Sequence, residues 1–422
     1  MSKRNTFRVA IRQFDPFASA IQKQWASFCE ASGVDLTLDA VELDLHPLYE
    51  TLFENSGLKK GEWDVAFINS DWFAQAHHHG ALLDIHPHIQ TNLPENYPSA
   101  WTDSLLRLQT FDNQIIGLPY HDGPQCLIYR QDLFEDPAEQ AAYQHQFGKP
   151  LAVPQTWDDF VQIAQFFTRP DQNLYGTVFA AFPDGHNTVY DFCIQLWTRG
   201  GELFDASNHM TLNTPQAIDA LTFYRTILND TTVIHPQARD FDSVKSGLAF
   251  ANGEIAMMTN WFGFAAMCET IADTKVKNKV AVADIPHAPH CNSASLNVYW
   301  ILGIGSGSPH TDIAYAFLRH CASAPQDKLL TLEGGIGCRK STWSDTEVNT
   351  TIPFYHMLEP IHKNAREFPR LSNWAQLAEI IDQLVLNTIN TDRPIAELVQ
   401  EAQQAIDAHY DHGNTRNPPL TS

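Results

Sequence analysis

The 422-residue chain contains no run of about 18 apolar residues, so the sequence offers no transmembrane helix. Positive charge is scarce. Lys and Arg number 27 against 49 Asp and Glu, a formal charge of −22, which argues against non-specific nucleic-acid binding. Cys29, Cys126, Cys193, Cys268, Cys291, Cys321 and Cys338 are scattered, odd in number and without a CxxC pair. That pattern argues against a disulfide framework and leaves buried free thiols as the expectation. G-x-S-x-G, Walker, HExxH and GxGxxG signatures are all missing, as are internal repeats and low-complexity tracts. The first residues, Met-Ser-Lys-Arg-Asn-Thr, carry charge, but the Phe7–Ile11 run that follows is too short for a signal-peptide h-region. Two placements follow: a cytosolic chain, or one whose leader lies outside this sequence.

What is present suits a globular chain long enough for two core-forming lobes, with 44% hydrophobic, 18% charged and 11% aromatic residues. Ten tryptophans exceed what such a core needs, so some are expected in a cleft. Phe7–Ile11 reads as a strand. Ala18, Ile21, Trp25, Phe28 and Cys29 then recur at helical spacing up to Gly33, a usual helix terminator. Strand Val34–Leu43, helix His46–Asn55 and strand Val65–Asn69 complete a βαβαβ opening of a doubly wound sheet. Leu127–Tyr129 reads as another buried strand, and Thr156 as the N-cap of a helix whose Asp158 and Asp159 suit its positive end. Helices are predicted at Thr188–Arg199, Pro215–Leu228, Asp242–Asn252, Thr311–Ala322, Pro353–Lys363, Trp374–Ile389 and Ile395–Tyr410. Strands are predicted at Ile255–Met258 and Val298–Gly305. The chain leaves one sheet system and returns to it, so the lobes are discontinuous.

Five segments, in order, carry a resemblance. They are Trp63-Asp64-Val65-Ala66-Phe67 through Gly80-Ala81-Leu82-Leu83-Asp84; Gly117-Leu118-Pro119-Tyr120 through Leu127-Ile128-Tyr129-Arg130-Gln131-Asp132-Leu133-Phe134; Gly200-Gly201-Glu202-Leu203-Phe204; Asn252-Gly253-Glu254-Ile255-Ala256-Met257-Met258; and Trp300-Ile301-Leu302-Gly303-Ile304. Over residues 6 to 410 the pattern resembles the bacterial extracellular solute-binding proteins of family 1, the maltose-binding-protein-like receptors of ABC sugar importers. Cys126 and Arg130 depart from the small residue and the Asn or Asp usual there.

The resemblance implies an α/β, two-lobe periplasmic-binding-protein-like fold of type II. Each lobe would be a mixed sheet flanked by helices, with the ligand cleft between them and crossings near 120, 299 and 345. Lobe 1 would take 1–120 and 299–345, and lobe 2 would take 121–298 and 346–412, with 413–422 a disordered tail. It implies hinge closure on a sugar-like solute by a monomer, docking on ABC permease subunits, a periplasmic or cell-surface location, no cofactor and no catalysis.

Strand ends of an open α/β sheet are where ligands sit, and hydroxylated solutes need ring faces beside hydrogen-bonding side chains. Candidates at those ends are Gln13 and Asp15; Ser70, Asp71 and Trp72; His121 and Asp122; Trp261 and Phe262; and Asn297, Tyr299 and Trp300. His186, Arg339 and Arg370 are further candidates. Each has a plainer reading. Ser70 and Asp71 suit an N-cap, Asp15 before Pro16 suits the same role for the first helix, the aromatics suit a core, and Arg339 suits a surface ion pair. His77-His78-His79, with His86 and His88, is a solvated face, since adjacent helical side chains point about 100° apart and cannot share one ion.

Aromatics at strand ends favour a sugar over an amino acid, and few cations in the predicted cleft disfavour a multiply charged phosphate. Two other functions compete. One is a carbohydrate-active enzyme using Asp71 and Asp122 as a carboxylate pair. The other is a soluble sugar sensor uncoupled from any permease.

Overall fold

A computed structural model of the chain describes residues 5–371 and 373–411. The predicted tail 413–422 lies outside them. In chain order the strands are β1 (Thr6–Arg12), β2 (Thr37–Leu43), β3 (Val65–Asn69), β4 (Leu118–His121), β5 (Gln125–Arg130), β6 (Met257–Trp261), β7 (Val280–Ala283), β8 (Ser295–Leu296), β9 (Trp300–Ile304) and β10 (Ala365–Arg366), beside one two-residue hairpin. The helices that matter here are α1 (Asp15–Ser32), α2 (Trp157–Phe167), α3 (Asn187–Trp197), α4 (Pro215–Asn229), α5 (Trp374–Asn390) and α6 (Ile395–Asp411).

The chain divides into two compact units. Unit 1 takes the described residues of 1–123, 298–356 and 368–372, and unit 2 takes those of 124–297, 357–367 and 373–422. Residues 346–356 therefore pack in unit 1, where the sequence had placed them in lobe 2. The reason is local. The Tyr355 hydroxyl meets Thr331 Oγ1 at 3.1 Å and accepts the Gly337 N–H at 3.0 Å, while Lys328 pairs with Asp345 and Glu347 at 2.9 Å.

Unit 1 is built on a five-stranded sheet of order β2-β1-β3-β9-β4. β1 runs parallel to β2 and β3, and β9 runs antiparallel to both β3 and β4. β3 and β9 are buried at every residue, as central strands covered on both faces should be. α1 covers one face with Phe17, Ala20, Ile21, Trp25 and Phe28. Its Gly33 takes the left-handed conformation (φ 71°) and donates its N–H to Cys29 O at 2.9 Å, the helix-ending role glycine performs without steric cost. The Phe7 and Trp25 rings stack at 4.6 Å in the core this makes.

Unit 2 centres on the antiparallel sheet β6-β5-β7, with β8 and β10 as a separate parallel pair. The strand expected at Ile255–Met258 lies at Met257–Trp261. Its pairing with β5 extends to Gln125 opposite Trp261, which puts Trp261 at the strand's end. α2 starts as predicted, with Thr156 Oγ1 accepting the Asp159 N–H at 3.1 Å. α3 is buried along its whole length. Among the described residues no helix is long and apolar enough to cross a membrane, and all seven cysteines are unbridged.

Candidate functional site

In unit 1 the ends of β3, β9 and β4 lie side by side, because Trp300 pairs with Asn69 on one side and His121 on the other. Beyond β3, the cap of the next turn is Asn69, not Ser70 or Asp71. Its Oδ1 accepts the Asp71 N–H at 3.0 Å, and the chain makes a 3-10 turn (Ser70–Trp72) before the helix at Phe73–His78. Ser70 is tied to the segment entering β9. Its N–H donates to Tyr299 O at 2.9 Å and its hydroxyl accepts the Tyr299 N–H at 3.3 Å. Asp71 stays half-buried beside them.

The rings at these strand ends belong largely to the core. Trp72 packs edge-on against Trp300 at 5.7 Å and Tyr49 at 5.5 Å, and both tryptophans are buried. Tyr299 has no exposed surface, and its hydroxyl donates to Leu105 O at 2.5 Å. The expectation that surplus tryptophans would line a cleft therefore needs correcting. Nine of the ten are buried, and Trp261 alone is part-exposed.

At the end of β4, His121 is half-buried. Its Nδ1 accepts the Ile336 N–H at 2.9 Å, and its ring meets Phe17 edge-on at 4.7 Å. Burial lowers its pKa to about 4, against a weaker upward pull from Asp122. Asp122 is 1% exposed, and its N–H donates to Ile336 O at 3.0 Å. Gln13 and Asp15 are exposed after β1. Asp15 is the first helical residue of α1, whose cap position is Phe14 without a side-chain bond, so Asp15 is not the cap.

Arg339 and Arg370 are committed elsewhere in unit 1. Arg339 is 1% exposed, lies over the Trp101 ring at 5.1 Å and donates to Ala322 O at 2.7 Å and Glu95 O at 3.1 Å. It keeps an ion pair with the exposed Glu95 at 3.9 Å, but the guanidinium itself is buried and ties down two backbone carbonyls. We expect Arg339→Ala to lower unfolding free energy by roughly 3 kcal/mol in urea titrations and to change solute affinity by less than about twofold. A large affinity loss with unchanged stability would put Arg339 back in the site. Arg370 lies over Phe111 at 3.9 Å and donates to Arg107 O at 3.3 Å.

Unit 2 carries a second group. Trp261, at the end of β6, meets Tyr190 edge-on at 5.4 Å, and Tyr190 meets His186 at 6.2 Å. The His186 ring is held by Nδ1 at 2.9 Å from Asp184 O. Phe262, next to Trp261, is fully buried and belongs to the core. Asn297 is 1% exposed. Its N–H donates to Arg366 O at 2.8 Å, yet both carboxamide atoms are buried without a hydrogen-bond partner among the described residues.

Two residues that matter were not singled out from the sequence. Gln125, opposite Trp261, is buried with Oε1 unpartnered among the described residues, and Ser295 Oγ donates to its carbonyl. Its place right after Gly123-Pro124 at a strand start was a usable signal. Asp191 sits on α3 beside Tyr190 and accepts the Tyr224 hydroxyl at 2.7 Å; burial pushes its pKa up to about 7. A lone acid within an apolar helix was its signal. Among the described residues no group of three or more His, Cys, Asp or Glu is placed to hold a metal ion.

The family model for bacterial extracellular solute-binding proteins matches residues 15–328. The chain belongs to this family. A probable ABC transporter-binding protein of Deinococcus radiodurans is 22% identical over 336 residues, 77% of this chain and 74% of its own length. Maltose-bound MalE3 of T. maritima superposes with a TM-score of 0.83 at 20% identity, covering 96% of this chain and 99% of that one. A solute-binding protein of Agrobacterium radiobacter K84 in complex with ribitol gives 0.84 at 21% identity, over 96% and 98%. At those identities the likeness establishes a shared fold. This solute-binding protein is thus α/β, built from two units with helix-flanked sheets, as the sequence predicted.

Proposed function

We propose that the chain is the receptor of an ABC importer for a neutral sugar or polyol, held between its two units by hinge closure and released unchanged to a membrane permease. The observation that carries this reading is Trp261, the one part-exposed tryptophan, which pairs across the strands with Gln125, whose buried Oε1 has no hydrogen-bond partner among the described residues; the same holds for both carboxamide atoms of Asn297 in the same unit. A ring face next to idle hydrogen-bonding groups suits a solute with apolar ring faces and many hydroxyls. Unit 1 would contribute Ser70, Asp71 and His121, with Gln13 and Asp15 on its exposed rim. His186 would line the unit 2 side. The commitment of Arg339 and Arg370 to backbone carbonyls favours a neutral solute over an anionic one.

The maltose and ribitol bound by the two structural relatives are both neutral and polyhydroxylated. Membership of an extracellular family supports a periplasmic or cell-surface location. A thermal-shift screen of mono-, di- and acidic saccharides and of sugar alcohols tests the reading. A selective solute at ~100 times its Kd stabilises the native state by about 2.7 kcal/mol. A shift from a neutral member supports the proposal. Selective shifts confined to acidic saccharides would overturn the neutral assignment, and no shift from any member would overturn the receptor reading.

A further inference from the structure

Among the described residues His121 forms no ion pair, and its two ring nitrogens have different fates. Nδ1 accepts the Ile336 N–H at 2.9 Å. A nitrogen that accepts carries no proton, so the neutral ring must carry its proton on Nε2. The bond is backed by a second one, from the Asp122 N–H to Ile336 O at 3.0 Å, so residues 121 and 122 hold Ile336 through both its N–H and its C=O. Phe17 meets the ring edge-on at 4.7 Å, and backbone pairing with Trp300 fixes the strand end that carries it. Nε2 has no hydrogen-bond partner among the described residues, nor is it among the buried polar atoms left unpaired, so it keeps accessible surface. The result is one oriented donor on a rigid strand end.

We propose that His121 presents a neutral Nε2–H of fixed tautomer to an acceptor oxygen, ring ether or hydroxyl, of the bound solute. The assignment rests on the receptor reading above and gives it an atom and a polarity. A donor-only group such as an ammonium cannot satisfy this N–H, so the position selects an oxygen. Protonation would place a second N–H at Nδ1, facing the Ile336 N–H. Acid therefore works against the clamp, in keeping with the lowered pKa of the ring. The titratable neighbours are Asp122 in sequence, Cys338 two residues beyond Ile336, and Asp327 on the preceding helix (Ala324–Leu332), whose carboxylate accepts the Cys338 N–H at 2.8 Å. α1 and β9 contribute Phe17 and Trp300, which do not titrate.

The test has two arms on the full chain. Long-range proton–nitrogen NMR of nitrogen-15-labelled histidine, assigned with His121→Gln, reads the tautomer without solute. The expected result is a single neutral Nε2–H form from pH 5.5 to 8. A Nδ1–H form or an imidazolium at pH 7 overturns the proposal. In the second arm, titrations use whichever neutral saccharide or sugar alcohol stabilises the wild type. His121→Gln keeps a donor and an acceptor and is expected to stay within about fivefold of wild type, whereas His121→Phe keeps only the ring and is expected to lose about tenfold or more. The predicted tautomer together with wild-type affinity in His121→Phe overturns this assignment alone. A wild type that binds no member of the panel overturns the receptor reading and this proposal with it.

Discussion

Trp261→Ala is expected to abolish the solute-induced thermal shift while leaving the protein folded. Trp261 is part-exposed at the end of β6 and meets Tyr190 edge-on, so its truncation empties little of the core. A tryptophan anchor at the centre of a binding site is worth about 2 kcal/mol or more, which corresponds to a loss of roughly 30-fold in affinity. Trp300→Ala makes an instructive contrast. Trp300 is 9% exposed and packs against Trp72 at 5.7 Å and Phe67 at 6.4 Å. Its removal should cost roughly 3–5 kcal/mol of stability through the cavity it leaves. Scanning fluorimetry with and without solute separates the two. Trp261→Ala should melt near the wild type and ignore the solute, and Trp300→Ala should melt early. An undiminished shift in Trp261→Ala would mean that the solute site is elsewhere.

Asp191→Asn is expected to stabilise the protein, and to do so more at high pH. The Asp191 carboxyl is buried on α3, accepts the Tyr224 hydroxyl and feels Asp184 nearby, and its pKa rises from 3.8 to about 7. The sign follows from proton binding. Above pH 3.8 the unfolded chain has lost this proton while the folded chain keeps it, so wild-type stability falls as pH rises, until the folded carboxyl also ionises near 7. The whole span is worth on the order of 4 kcal/mol. An asparagine fits the same space, can still accept the Tyr224 hydroxyl and carries no charge. Urea titrations should show the advantage of the variant widening by roughly 2–3 kcal/mol between pH 5 and pH 8. An advantage of equal size at both values would mean that Asp191 does not titrate in this range. The residue next to it in sequence, Tyr190, meets Trp261 edge-on.

Local signals were legible wherever a single residue type decides the backbone. Gly33 ends α1 in a left-handed conformation, and Thr156 caps α2, both as read from sequence. The βαβαβ opening was legible because β3 is wholly apolar up to Asn69 and the α1 stripe repeats at helical spacing. Side-chain direction was less legible. The ends of β2 and β3 lie where the sequence puts them and that of β6 three residues later, but a strand end says where the chain passes and not which way a ring turns. Tyr299 reaches inward to Leu105 O, and Phe262 turns into the core while its neighbour Trp261 stays part-exposed. Arg339 reads as a surface cation because nothing near it in sequence announces its partners, which lie at Glu95, Trp101 and Ala322. Asn69 does not stand out as the cap in the sequence, because Ser70 and Asp71, equally good cap residues, follow it immediately. Gln125 needs its partner strand to be visible, since only the β5–β6 register sets it opposite Trp261.

The most direct measurement is an isothermal titration of the full chain with the neutral saccharide or sugar alcohol that gives the largest thermal shift, followed by chemical analysis of the recovered solute. The account predicts saturation at one solute per chain and recovery of the solute intact. Failure of every neutral polyhydroxylated solute to saturate the protein, or recovery of cleaved product, would contradict it.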